Sequence, residues 1–303
     1  MDIKKLLEAH ADVEENALLR NHTTFRVGGE ARFLCYPKTD ISLLRIVEIC
    51  KEYNLEYRVF GKGSNMLCSD AFFDGIIICL DRYFIDVSFE EDGKCLVGAG
   101  VSTIFLANQA MKLSFSGLEF ASGIPATVGG AIFMNAGAYK SEFASVVKRV
   151  YVAHDGICEW MEKDTLDFSY RTSRFQKHRD WIVVAAEIKL TRADQKEIRD
   201  LMDARRIRRK ATQPLEKPSA GSMFRNPVHQ QAWELIEACN LRGMQIGGAK
   251  VSEKHANFII NEDNATAQDV YDLVSYIQEE VKKKFQVQLK TEVEKFNWKM
   301  KKN

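Results

Sequence analysis

"SGIPATVGGAIFMNAGAY", residues 122–139, sets Gly123, Gly129, Gly130 and Gly137 among alanines and a serine. No regular helix or strand gains from so many missing side chains, because glycine loses the most backbone freedom on folding and packs nothing. Two readings fit the stretch: a tight crossing of core elements, or a loop whose bare backbone approaches a phosphate. A second stretch, "VFGKGSNML" (59–67), puts Gly61 and Gly63 directly after a strand-like run. Taken alone it reads as an ordinary glycine turn. It is not the dinucleotide fingerprint, since Met66 occupies the third glycine position and no long helix follows. With "TTFRVGG" (23–29) as a third stretch, the reading shifts toward a large phosphate-bearing cofactor lying along glycine-lined backbone. Walker A spacing is absent, because Tyr139 precedes Lys140 and Ser141.

The rest of the composition narrows the class. A chain of 303 residues with 46% hydrophobic side chains can bury a sizeable core, and its formal net charge of +1 gives no field for nucleic acid or an anionic membrane. The seven cysteines are scattered, odd in number and never in C-x-x-C spacing, which argues against a disulfide framework and a zinc site and makes most of them small core residues. The six histidines form no H-E-x-x-H and no close pair, so no metal is expected. The N-terminal "MDIKKLLEAHADVEENALLRN" carries acids throughout and lacks an apolar run of signal-peptide or membrane-span length, which predicts a cytoplasmic protein.

Periodicity predicts a helix from an Asp40 cap to about Tyr53 and another from Ser102 to near Leu113. Strands are expected at 57–60, 75–80, 95–100 and 181–190, with a hairpin turning at Asp155-Gly156. A charged helix over 195–210 gives way to a junction containing Pro214, Pro218 and Gly221. The last helix opens at Thr266 with Asp269 in the capping-box position and shows an apolar face of Val270, Leu273, Val274, Ile277, Val281 and Phe285. The tail "VQLKTEVEKF" reads as a strand.

In that junction, "KPSAGSMFRNP" (217–227) holds a serine, Ser222, behind a glycine. It lacks the G-x-S-x-G elbow and the serine-lysine signature of the β-lactamases, so acyl transfer has little support. Standing alone, Ser222 is a turn residue, Arg171 an ion-pair partner, Glu292 punctuation of an edge strand, and the basic run Arg205 to Lys210 a solvated helix face.

Together the motifs resemble one family, the UDP-N-acetylenolpyruvoylglucosamine reductases. The resemblance runs in order through "NHTTFRVGG", "GKGSNML", "SGIPATVGGAIFMNAGAY", "YRTSRF", "PSAGSMFRNP", "GGAKVSEKHANFIINEDNAT" and "EVEKF", from about Asn21 to Phe296. It implies an α+β fold: an FAD-binding unit of the vanillyl-alcohol-oxidase (PCMH) type plus a C-terminal α/β substrate-binding domain. The expected division is a first FAD-binding subdomain over 1–57 joined by the C-terminal strand 288–303, a second over 58–200, and a substrate-binding domain over 201–287. The compact stretch between "YRTSRF" and the strand at 181–190 matches the shorter form of the family, without an inserted substrate loop.

The resemblance also implies chemistry. NADPH would reduce FAD, and the flavin N5 would then deliver hydride to C3 of the enolpyruvyl group of the UDP-sugar, giving UDP-N-acetylmuramate for peptidoglycan. Side chains cannot store hydride, so a flavin must. Charge accumulating at C2 and its carboxylate needs stabilisation and a proton. Matched by motif, Arg171 stabilises the carboxylate, Glu292 shares that work in protonated form, and Ser222 gives the proton to C2. Cofactor contacts are expected from Arg26, from Gly61, Lys62, Gly63, Ser64 and Asn65, from Ser122, Gly123, Ile124, Pro125, Thr127, Gly129 and Gly130, and from Asn135 and Gly137. Neither the "GKGSN" nor the "SGIPATVGG" loop holds a histidine or cysteine, so FAD is expected to bind noncovalently. Lys210, Arg225 and Asn226 are candidates for the substrate diphosphate. The partners implied are the sugar nucleotide and NADPH, with no obligate protein partner.

One departure stands out: the family commonly carries arginine two residues after the catalytic glutamate, and here the residue is Glu294. Two rivals remain, an oxygen-using flavin oxidase of the same fold and a nucleotide-binding protein without catalysis.

Overall fold

The computed structural model describes residues 2–298. They divide into two compact units, the first made of residues up to 16, 32–62 and 74–207, the second of 17–31, 63–73 and those from 208 onward.

The first unit carries a five-stranded antiparallel sheet in the order Ile157–Glu162, Val147–His154, Ile182–Lys189, Lys94–Gly98, Val87–Phe89. The hairpin falls at Asp155-Gly156 as expected, both with positive φ (46° and 81°), the geometry an Asp-Gly turn supplies at low cost. A four-stranded sheet, ordered Ala11–Leu18, Glu30–Pro37, Phe73–Cys79, Glu56–Phe60, lies largely in this unit. Helix Asp40–Glu52 packs Leu43, Ile46, Ile49 and Cys50 into the core. Its cap is Thr39 rather than Asp40: Thr39 is extended and its side chain accepts from the Ser42 amide, so the helix starts one residue earlier than acidity alone suggested. Ser102 does cap helix Thr103–Lys112, without a side-chain bond.

In the second unit an antiparallel sheet runs Ser219–Ser222, Phe258–Asn261, Ala249–Val251, Gln245–Ile246. Helix Ala267–Phe285 packs beside the last two of these strands and helix Ala232–Ala238. Its capping box is present at Thr266 and Asp269, and the Asp70 carboxylate accepts from Ala267 N at 2.8 Å, so two acids serve the amide-rich end. Val270, Leu273, Val274, Ile277 and Val281 are all fully buried. Each contributes about 1.5–3 kcal/mol of burial, which makes this helix face the backbone of the unit's core. Phe25, Val27 and Leu67 belong to that same core.

Two expectations need adjusting. Of the predicted strand 287–296 only Glu294–Phe296 is regular strand, pairing in parallel with Met66–Cys68; Lys290, Thr291 and Glu292 instead make single contacts with residues 223–225. The C-terminal strand, expected to join residues 1–57, therefore pairs with Met66–Cys68, and residues 17–31 and 63–73 group with the C-terminal part; residues 299–303 of that expected segment lie outside the described residues. The cysteines are unpaired, five of them buried, and burial pushes the thiols of Cys35, Cys50, Cys68 and Cys95 up to about 12. The five buried ones are inert core residues at neutral pH.

Candidate active site

In the first unit the glycine loops read separately in sequence close on one another. A Cβ at Gly61 would lie 2.4 Å from Thr127 Oγ1, so only glycine lets the end of strand Glu56–Phe60 approach the 122–130 loop this closely. Thr127 is buried and caps the short helix Val128–Phe133, accepting from Gly130 N at 3.3 Å. Gly129 N donates to Ala99 O at 2.8 Å, and a Cβ there would come within 3.0 Å of the Ala99 Cβ. Ser122 donates to Glu119 O, Ile124 is half-buried, Pro125 is exposed, and Lys62 pairs with Asp81 at 3.0 Å. Gly123 lies between Ser122 and Ile124 in the turn after Ala121.

Asn135, expected at the cofactor, is fully buried and left-handed (φ 42°). Its amide donates to Ser169 O at 2.9 Å and accepts from Ala144 N at 3.0 Å, bracing the glycine stretch against the Arg171 turn. That turn is tight: Ser169 and Thr172 exchange both backbone bonds at 3.0 Å, and Arg171 sits at φ 55°, a conformation an arginine adopts only when its surroundings hold it there. Gln176 Nε2 donates to Arg171 O at 3.0 Å, and Arg171 Nη2 donates to Gly137 O at 2.7 Å. Arg171, Asn135 and Gly137 are thus one assembly.

Ser222 in the second unit ends a strand that opposes Phe258. Between Ser219, which faces Ile260, and Ser222 the strand has one extra residue, and Gly221 takes φ 78° there. Such a bulge turns the following side chain away from the ladder's regular alternation, which sets Ser222's direction. The next residues anchor it: Met223 and Phe224 are buried, Met223 N donates to Asn257 O at 2.8 Å, and Glu292 N donates to Met223 O at 2.9 Å. Asn65 Nδ2 donates to Glu292 O at 3.1 Å while Asn65 O accepts from Glu294 N at 2.9 Å. Ser222, Glu292 and Asn65 are therefore brought together, with Ser222 and Glu292 both half-buried. Gly63, left-handed at φ 58°, would carry a Cβ 2.2 Å from His22 O, and half-buried Ser64 follows it. Exposed Arg26 is also left-handed, at φ 57°, and its carbonyl accepts from Asn261 Nδ2 at 3.4 Å.

Of the diphosphate candidates, Arg225 is half-buried with its Nε shielded from solvent and unpartnered, and Lys210 is exposed on helix Gln195–Thr212. Asn226 is exposed, but its Oδ1 accepts from Ala232 N at 3.0 Å, which gives it a cap-like role at helix Ala232–Ala238. Glu294 occupies the strand beside Met66. Sequence reasoning missed Asn257. Its signal was a lone amide opening the apolar run "NFII" (257–260), where an unpartnered polar side chain would be costly.

Comparison with known proteins fits this geometry. Residues 31–156 match the family described as FAD binding domain, and residues 213–296 match the UDP-N-acetylenolpyruvoylglucosamine reductase C-terminal domain. A glucose dehydrogenase structure, Phl p 4.0202, shares the fold at TM-score 0.51 and 15% identity over 64% of this chain and 45% of its own. The class is thus an FAD-binding α+β protein of the PCMH type. UDP-N-acetylenolpyruvoylglucosamine reductase from Anoxybacillus flavithermus is 43% identical over 96% of this chain and 97% of its own length. The Bacillus subtilis protein of that name is 40% identical over 92% of each. The crystal structure of the Thermus caldophilus reductase superposes at TM-score 0.82 with 36% identity, covering 94% of this chain and 99% of that one. This chain belongs to the UDP-N-acetylenolpyruvoylglucosamine reductase family.

The residues present fit FAD. Glycine at position 61, where any side chain would strike Thr127, keeps two glycine-rich backbone segments together, the kind of main-chain surface that a diphosphate takes.

Proposed function

We propose that this protein reduces UDP-N-acetylglucosamine enolpyruvate to UDP-N-acetylmuramate for peptidoglycan, with NADPH as electron donor and noncovalent FAD held by the 61–65 and 122–137 loops. FAD, when bound, would supply the hydride that C3 of the enolpyruvyl group receives. Ser222 delivers the proton to C2: its hydroxyl is a weak acid, but a carbanion-like centre is a stronger base, so the transfer runs downhill. Arg171 lends positive charge to the substrate carboxylate as negative charge spreads into it. Glu292, protonated, donates a hydrogen bond to the same group. Arg225, with a shielded donor lacking a partner, and Lys210 take the diphosphate. Among the described residues no helix is long and apolar enough to cross a membrane; sugar nucleotide and NADPH place the reaction in the cytoplasm.

The observation that carries this reading is the ladder joining the serine block to Glu292, in which Glu292 N meets Met223 O at 2.9 Å one residue from Ser222. Flavin absorbance separates the two half-reactions. Ser222→Ala should leave reduction by NADPH nearly intact and slow reoxidation by the enolpyruvyl substrate by roughly 10² to 10⁴, about 3 to 5 kcal/mol of barrier. Ser222→Cys, which keeps a proton nearby, should lose less. Equal slowing of both halves would make Ser222 a pocket-shaping residue, and no slowing of either would end its role as proton donor.

A further inference from the structure

Asn257 is 4% exposed and has all four of its polar groups engaged. Its side-chain Oδ1 accepts from Phe224 N at 2.9 Å and its Nδ2 donates to Phe224 O at 2.8 Å. Its backbone O accepts from Met223 N at 2.8 Å, and its own N–H donates to His255 Nδ1 at 3.2 Å. The side-chain amide thereby acts as an extra peptide unit. The regular pairing of Ser219–Ser222 with Phe258–Asn261 stops at Ser222, and Asn257 carries the pairing one residue further.

On their other side the same two residues meet the C-terminal segment, through the Phe224–Thr291 bridge and the bond from Glu292 N to Met223 O. Met223 and Phe224 are thus clamped between Asn257 and the segment that carries Glu292. Because strand side chains alternate with a period of two, a slip of one residue here would point Ser222 the opposite way. Asparagine suits the position. Ionised aspartate cannot donate to Phe224 O, and leucine leaves a buried N–H and C=O without partners.

We infer that Asn257 is a positioning residue for protonation: its amide locks Phe224 and so fixes the Ser222 hydroxyl and Glu292 in register for the substrate. The inference rests on the reading of Ser222 as proton donor.

The test uses FAD-loaded enzyme reduced with dithionite and mixed with the enolpyruvyl sugar nucleotide, against Ile277→Ala, a core variant of the same unit, as a stability control. Asn257→Ala should slow reoxidation roughly 10²-fold, the size of effect a misplacement near 1 Å produces. Ile277→Ala should stay within about twofold of wild type when both are held well below their melting temperatures. Asn257→Asp should recover toward wild type on acidification, measured as a ratio to wild type at each pH, because the neutral carboxyl restores both a donor and an acceptor for Phe224. A double variant with Ser222→Ala should be no slower than Ser222→Ala alone, as expected of two residues acting as one device. Equal slowing in Asn257→Ala and Ile277→Ala, or fully additive losses in the double variant, would overturn the inference. Amide exchange in the flavin-free protein decides the clamp independently of turnover. Met223 and Phe224 should exchange faster in Asn257→Ala than in an equally destabilised Ile277→Ala, and identical exchange would refute the clamp. Wild-type reoxidation in Ser222→Ala with accelerated exchange in Asn257→Ala would instead refute the proton-donor reading, and with it the assignment to protonation, while leaving the clamp in place.

Discussion

The glycine loops of the first unit and the serine block of the second solve the placement of functional groups by opposite means. Around Gly61 and Thr127 the arrangement depends on atoms that are missing, since one added carbon would collide at 2.4 Å. Around Ser222 it depends on atoms that are present: the amides of Asn257 and Asn65 tie down backbone that the regular ladder does not reach. The first design tolerates no bulk but little of it rests on any one side-chain hydrogen bond. The second tolerates volume poorly defined by sequence, yet fails when one donor or acceptor is removed. Substitutions should therefore act on cofactor retention in the first region and on the proton-transfer half-reaction in the second.

After Ser222 itself, the largest effect in this comparison is expected at Glu292. Glu292→Ala should slow flavin reoxidation by the enolpyruvyl sugar by roughly 10² to 10³, the usual result of removing one donor to a developing anion. Glu292→Gln should lose less, because an amide still donates. Stopped-flow absorbance measures both, and equal, negligible effects would remove Glu292 from the chemistry. FAD retention should be unchanged in either variant.

Next in size is Gly61→Ala, which should weaken FAD retention by about 1–3 kcal/mol, the ordinary range for overpacking, while reduced enzyme that keeps its flavin reoxidises normally. Thr127→Ala alone should lose about 1 kcal/mol of stability with the helix cap. Combining the two should cost less than their sum, because the second substitution removes the atom the first one strikes. Additive losses, read by ultrafiltration and flavin fluorescence, would mean the Gly61–Thr127 approach is not what holds the loops.

The smallest effect concerns pH. Burial, and after it the Arg242 guanidinium, holds the His255 imidazole below its usual 6.5, against the opposing pull of a hydrogen bond to its own backbone and of Glu237. Unfolded chain takes up the proton first, so this residue's contribution to stability is full above 6.5 and falls as pH drops from there toward the lowered folded value. Protonation would also place a hydrogen on Nδ1 where it now accepts from Asn257 N. Urea melts between about pH 7.5 and pH 5.5 should show the loss, and His255→Asn, whose side-chain oxygen can accept the same bond, should flatten it. An unchanged slope in that variant would assign the acid sensitivity elsewhere.

Legibility followed the same division. Glycines announce themselves, so the 59–67 and 122–139 stretches could be flagged from residues alone, and the helix from Thr266 was readable because cap and apolar period agree. Ser222, Arg171 and Glu292 could not be distinguished from a turn, an ion pair and a strand edge without the resemblance, because each is held by partners far away in sequence. Asn257 escaped for that reason: its bonds to Phe224 span 33 residues. The C-terminal strand was overextended since alternation in "VQLKTEVEKF" marks extended backbone, whether or not a neighbour is there to pair with it. The chain's grouping was hidden as well, because hydrophobic pattern says that Phe25, Val27 and Leu67 are buried but not in which core.

Those three residues carry a consequence for synthesis. Their core companions begin at Ala220, more than a hundred residues later, and end with the helix and tail beyond Ala267. On a translating ribosome, the early segments emerge roughly 10 to 30 seconds before anything exists to cover them. The second unit is therefore a late folder by construction, closing only when the chain is almost finished, and a nascent chain halted near residue 207 offers chaperones and proteases an apolar surface that the completed protein never shows. Expression of the segment from 208 onward by itself would inherit the converse defect, a core with Phe25, Val27 and Leu67 left out of it.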